Sequence, residues 1–309
     1  MENPLLSGEI SPLKGPAINL AFDPRRYIAS QELISAANIA LTLGQPLLLT
    51  GEPGVGKSMF AHYLADKLGL PQPLVYIAKT DSTPIDLFYH YDHLLHFHDA
   101  NSARLAGQTL QLNTTDYYER YISFQALGAA IRSGERKVVL IDEIDKASRD
   151  FPNNLLNELE HMSFGVRETG EQFTASPDAM PVVVITSNAE RNLPDAFLRR
   201  CIYYHLPFPA NEQLFHILKG YVSRYQEKEL QQLLDFFERV RTLSIRKPPS
   251  IAELIQWVRL LETAEVDPAE FLGNVREKSG KNTFFSSSLS VLAKTREDLE
   301  VLRPQLFYD

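Results

Sequence analysis

The stretch Gly51-Glu52-Pro53-Gly54-Val55-Gly56-Lys57-Ser58 restricts the fold of this chain more than any other. It fits G-x-x-x-x-G-K-[ST] at every position, and it stands between the apolar run Pro46–Thr50 and a helical pattern from Lys57 to Leu68 that stops at Gly69 and Pro71. In a strand–loop–helix unit of this kind, glycines let backbone N–H groups point inward around phosphate oxygens. The positive end of the helix faces the same anion. The expectation is a nucleoside triphosphate cradled by Gly51, Glu52, Pro53, Gly54, Val55, Gly56, Lys57, Ser58 and Met59. Lys57 should reach the outer phosphates, and the Ser58 hydroxyl should ligate Mg2+.

The runs Leu74–Ala78, Val138–Ile141 and Val182–Ile185 share the signature of the strand before the loop: brief, apolar and bounded by turn residues. Strands buried on both faces have this composition, and helical patterns separate them. An α/β fold with a parallel sheet and helices on either side is therefore expected. Upstream, Ser30 is placed to cap a helix running to Leu43, with Gly44 ending it. After Pro207-Phe208-Pro209 the pattern becomes wholly helical, over Asn211–Arg224, Glu229–Leu243 and Ser250–Glu265. The division expected is an N-terminal arm at residues 1–24, a nucleotide-binding domain at 25–209 and a small all-helical lid domain at 210–309.

Two acids follow the third apolar run, in Val138-Val139-Leu140-Ile141-Asp142-Glu143. Ligands gather at the C-terminal ends of strands in open parallel sheets, so Asp142 is placed to hold Mg2+ and Glu143 to polarise an attacking water as general base. The next strand ends in Ile185-Thr186-Ser187-Asn188, where the Asn188 amide can orient water against the terminal phosphate. ATP is expected rather than GTP, since no Asn-Lys-x-Asp base-reading sequence occurs.

The order of GEPGVGKS, VVLIDEID, ITSN and LPDAFLRRC resembles the AAA+ ATPases, and within them the MoxR family and its dynein-related relatives. The resemblance covers roughly residues 27–261. It implies a three-layer P-loop core of AAA+ type followed by a helical lid, and an Mg2+-dependent ATPase working as a homo-oligomeric ring, as a hexamer. It also implies that Asn188 is a sensor and that Arg200, with Arg199 in reserve, is the finger that reaches a neighbouring subunit's nucleotide. A guanidinium meets the charge that grows on phosphoryl oxygens bidentately. Lys247 or Arg246, before the helix at Ile251, would lean over the phosphates as a second sensor. Chaperone-like remodelling of a protein partner, and a partner bearing a von Willebrand factor A domain, rest on the resemblance alone. So does a pore role for two inserts: one within the 85 positions from Lys57 to Asp142 (142 minus 57), the other a hairpin between Ser163 and Pro181.

Two other readings differ in class: a nucleotide-gated assembly switch with slow hydrolysis, and a nucleic-acid motor. The net charge of -8 disfavours sequence-blind attachment to nucleic acid or an anionic bilayer. The single cysteine, Cys201, excludes an internal disulfide framework. No membrane-spanning run and no signal-peptide pattern is present, so a cytoplasmic location is expected. His90, His93, His96 and His98 invite zinc, but without a neighbouring cysteine an amphipathic helix is the simpler expectation, with His90 and His93 on one face. Tyr117, Tyr118, Tyr121 and Phe124 follow helical spacing and are expected to pack against a core or a neighbour rather than stack on bases.

Overall fold

The computed structural model describes residues 23–107, 114–273 and 280–307; nearly all of the expected arm at residues 1–24 lies outside them. The described residues form two compact units, one within 29–51 and 57–206, the other made of residues 23–28, the loop residues 52–56 and the described residues from 207 onward.

Among the described residues of the first unit nine strands form: β1 Leu47–Thr50, β2 Leu74–Ile77, β3 Tyr89–Tyr91, β4 Ile122–Phe124, β5 Val138–Asp142, β6 Ser163–Gly165, β7 Gln172–Thr174, β8 Val182–Ser187 and β9 Ile202–His205. Five of them make one parallel sheet in the order β2-β5-β8-β1-β9. Leu47, Leu48 and Leu49 in β1 and Val138 to Ile141 in β5 are at most 2% exposed, as expected of strands covered on both faces. The run at Leu74 departs from that expectation. As β2 it is an edge strand with alternating burial, leaving Val75 45% and Ile77 55% exposed. The apolar composition reflects strand propensity, and one face simply lacks a covering layer.

Register decides where the chemistry falls. Thr50 lies opposite Ser187, and Ile141 opposite Ile185, so the C-terminal ends of β1, β5 and β8 are level. Ser30 caps the helix Gln31–Leu43 by accepting from the Leu33 N–H at 3.1 Å, and Gly44 closes it in the left-handed region.

The inserts are two antiparallel hairpins. β3 pairs with β4 around the helices His93–Leu105 and Thr114–Tyr121, and β6 pairs with β7. The hairpins meet through rings, with Phe88 and Phe164 5.0 Å apart and Phe124 and Phe173 5.8 Å apart, while Phe164 and Phe173 stack at 5.3 Å within the second hairpin. Tyr118 and Tyr121 are buried, as expected of core aromatics. His90 and His93 do not share a helix face. His90 is in β3, Asp92 caps the following helix from outside, and His93 is that helix's first residue. Nor is the helix amphipathic in the sense expected: it buries no residue, and Leu94, Phe97 and Leu105 stand exposed. Among the described residues no group of acids, histidines or cysteines is arranged to hold a metal by itself.

The second unit is helical. Asn211–Lys219, Glu227–Thr242 and Ile251–Thr263 bury Leu214, Leu218, Leu233, Phe237, Leu254 and Val258. Trp257, fully buried, stacks 5.4 Å from Phe236 and meets Phe271 edge-on at 5.5 Å. Among the described residues, no helix is long and apolar enough to cross a membrane.

Candidate nucleotide-binding site

β1 ends at Thr50 and the loop turns through Gly51, Gly54 and Gly56, all at positive φ. Two of these glycines also have close neighbours, and the space around Gly54 excludes a side chain. A Cβ on Gly54 would lie 2.5 Å from Cβ of Ser250, and one on Gly56 would lie 3.1 Å from the Tyr27 ring. Lys57 then opens the helix Lys57–Lys67 and is only 6% exposed. Its ammonium donates to the Gly51 carbonyl at 2.8 Å and to Oδ1 of Asn188 at 2.7 Å.

The level strand ends supply the facing groups. Oδ1 of Asp142 accepts from the Ser58 hydroxyl at 2.7 Å and from the Thr186 hydroxyl at 2.5 Å, while Thr186 accepts from the Glu143 N–H at 2.9 Å. One carboxylate oxygen thus links the loop's helix, β5 and β8. Glu143 is left-handed, at φ 56 and ψ 46, a conformation that costs a non-glycine residue about 1 kcal/mol or more. This places its carboxylate against Lys146 at 2.5 Å and against Nδ2 of Asn188 at 3.4 Å. The hydrogen bond from Lys146 to Glu143 holds the lysine above its ordinary pKa.

Behind Asn188 lies Asp145, 3% exposed, whose carboxylate accepts from the backbone N–H groups of Asn188 at 3.3 Å and Glu190 at 2.9 Å. Thr186 and Asp145 are parts of this site that the sequence reading passed over, although both sit inside the quoted ITSN and VVLIDEID segments.

Lys57, Ser58, Asp142, Glu143 and Asn188 thus form one connected network. Arg200 lies outside it. Its guanidinium pairs with Glu160 at 3.0 Å and donates to the Ala196 carbonyl at 3.2 Å, and that pairing holds the Glu160 carboxyl below its ordinary pKa. Arg199 is exposed at the C-cap of Asp195–Leu198. Lys247 is also exposed, while the Arg246 N–H donates to Asp298. In the helical unit, Arg241 lies 2.8 Å from Glu52 of the glycine loop.

A parallel sheet in this strand order, a glycine loop opening a helix, and acid and amide groups on adjacent strand ends define a P-loop nucleotide-binding domain. Residues 46–201 match the family described as AAA domain (dynein-related subfamily). The chain belongs to that family of AAA+ ATPases, and nucleotide binding follows from the membership. Among solved structures it is similar to a variant of RuvB from Thermotoga maritima, at 16% identity and a TM-score of 0.44, over 85% of this chain and 67% of that one. It is also similar to a presumed ATPase from Cytophaga hutchinsonii, at 14% identity and a TM-score of 0.44, over 92% and 83% of the two chains. No curated protein matches its sequence.

Proposed function

We propose that this chain is an ATP-hydrolysing, MoxR-like ring protein that remodels a protein partner. The catalytic domain is read as residues 25–209, preceded by an arm at 1–24 and followed by a lid at 210–309. The observation that carries the proposal is the line of contacts Gly51–Lys57–Asn188–Glu143 beside the pair Ser58–Asp142.

Lys57 is buried and donates to the Gly51 carbonyl and the Asn188 amide oxygen, and an anionic phosphate answers its charge better than either neutral oxygen. The Ser58 hydroxyl and the Asp142 carboxylate are hard oxygen donors 2.7 Å apart, a set suited to Mg2+. Bound there with the nucleotide, Mg2+ would neutralise charge developing on the phosphates. Glu143 is the general base, held by its left-handed backbone and by Lys146, and Asn188 orients the water that Glu143 activates.

Arg200, with Arg199 in reserve, is assigned to a neighbouring subunit's nucleotide, which makes hydrolysis depend on assembly. Hexameric stoichiometry and a partner with a von Willebrand factor A domain belong to the MoxR likeness. Glu143→Gln tests the core of the proposal. It should retain ATP while turnover falls by about 10²-fold or more, the usual worth of a positioned base. Undiminished phosphate release from that variant would remove Glu143 from its role.

A further inference from the structure

Five residues of the glycine loop, Glu52–Gly56, belong to the same compact unit as the helices after Pro207. Two polar side chains of those helices close on the loop. Ser250, the N-cap of Ile251–Thr263, occupies the space where Gly54 would carry a Cβ. Arg241, in the last turn of Glu227–Thr242, reaches Glu52.

The guanidinium of Arg241 is held from three sides. It lies 3.5 Å from the centroid of the Phe208 ring, donates through one terminal nitrogen to the Pro249 carbonyl at 2.5 Å, and donates through the other to Oε2 of Glu52 at 2.8 Å. Its side chain is 16% exposed, against 54% for Glu52. Stacking and the carbonyl bond fix the planar group, so little side-chain entropy remains to be lost when Glu52 binds. That distinguishes the pair from an ordinary surface ion pair, in which both partners are loose.

We propose that Arg241 is a positioning residue that holds the glycine loop in its phosphate-receiving shape through Glu52. The inference rests on reading the loop as a nucleotide site. Gly51, Gly54 and Gly56 give this segment large backbone freedom, which an untethered loop would lose only on binding. A loop already ordered by Arg241 presents its amides without that cost, and the gain appears in affinity rather than in the chemical step.

The test is a double-mutant cycle of Arg241→Gln and Glu52→Gln in the full chain, read by binding of a fluorescent ATP analogue and by kcat and KM for phosphate release, with Arg241→Lys as the conservative variant. Each single variant and the double variant should weaken binding and raise KM by about tenfold, without additivity, and kcat should stay within about twofold. Arg241→Lys keeps the charge but not the fork, and should recover part of the loss. The inference is overturned if Glu52→Gln binds as tightly as the wild type, whether or not Arg241→Gln is impaired, or if the two losses add. A wild-type chain that binds no analogue sinks the reading of the loop itself, and this inference with it.

Discussion

Replacing Asp145 by alanine tests how the site is braced. The carboxylate is 3% exposed and accepts two backbone N–H groups, at 3.3 Å from Asn188 and 2.9 Å from Glu190, on either side of Ala189 at φ 58. Hydrogen bonds to a charged group contribute about 1.5–3 kcal/mol each. The longer bond belongs at the low end, and the variant is spared the desolvation of a buried carboxylate. The net loss is therefore set at about 3 kcal/mol, and at about 2–4 °C per kcal/mol for a unit of this size the thermal midpoint should drop by roughly 6–12 °C. Because the same residue fixes the backbone that carries the Asn188 amide, kcat should fall by about tenfold to a hundredfold under conditions where the protein remains folded. Asp145→Asn keeps one acceptor and should fall between. Scanning fluorimetry and a coupled phosphate-release assay give both readings. A midpoint within about 2 °C of wild type together with unchanged kcat would show that Asp145 braces nothing.

Gly128→Ala would put a Cβ 1.9 Å from the Phe88 carbonyl oxygen, so the hairpin β3–β4 must shift; a loss of about 3 kcal/mol or more is expected in a chemical unfolding curve. Gly54→Ala meets both Ser250 and the positive φ of 77, and should abolish nucleotide binding in a fluorescence titration while lowering stability by about 1–2 kcal/mol. Burial pushes the Cys201 thiol up to about 12, so at pH 8 it should resist an aromatic disulfide reagent until the chain is denatured. The same shift has a sign in stability: the neutral buried thiol contributes fully below about pH 9, where an unfolded thiol begins to ionise, and the contribution declines as pH rises from there toward 12.

The sheet was legible wherever a strand is covered on both faces. Val138–Ile141 and Val182–Ile185 are continuous apolar runs because helices pack above and below them, and the loop between β1 and its helix has its own spacing rule. Val75 and Ile77 have the same composition with one face open, so composition alone could not mark β2 as an edge. The histidine segment misled for a local reason: Asp92 starts a helix after β3, which splits residues that helical periodicity alone would place on one face. Thr186 and Asp145 were hidden because a polar residue at a strand end resembles an ordinary turn former until register brings its neighbour alongside. Arg241 was hidden by distance: its partner Glu52 is 189 positions away, and no periodicity encodes such a pairing.

In the proposed ring, one subunit supplies the phosphate cradle and base while a neighbour supplies Arg200. Steady-state phosphate release from a mixture of Glu143→Gln and Arg200→Ala chains tests it most directly. Each variant alone should be nearly inactive. With random mixing, about one interface in four joins an intact cradle to an intact arginine, so the mixture should recover up to about a quarter of wild-type turnover. A mixture that assembles yet stays as inactive as its components would contradict the claim, and so would full activity from the Arg200→Ala chain alone.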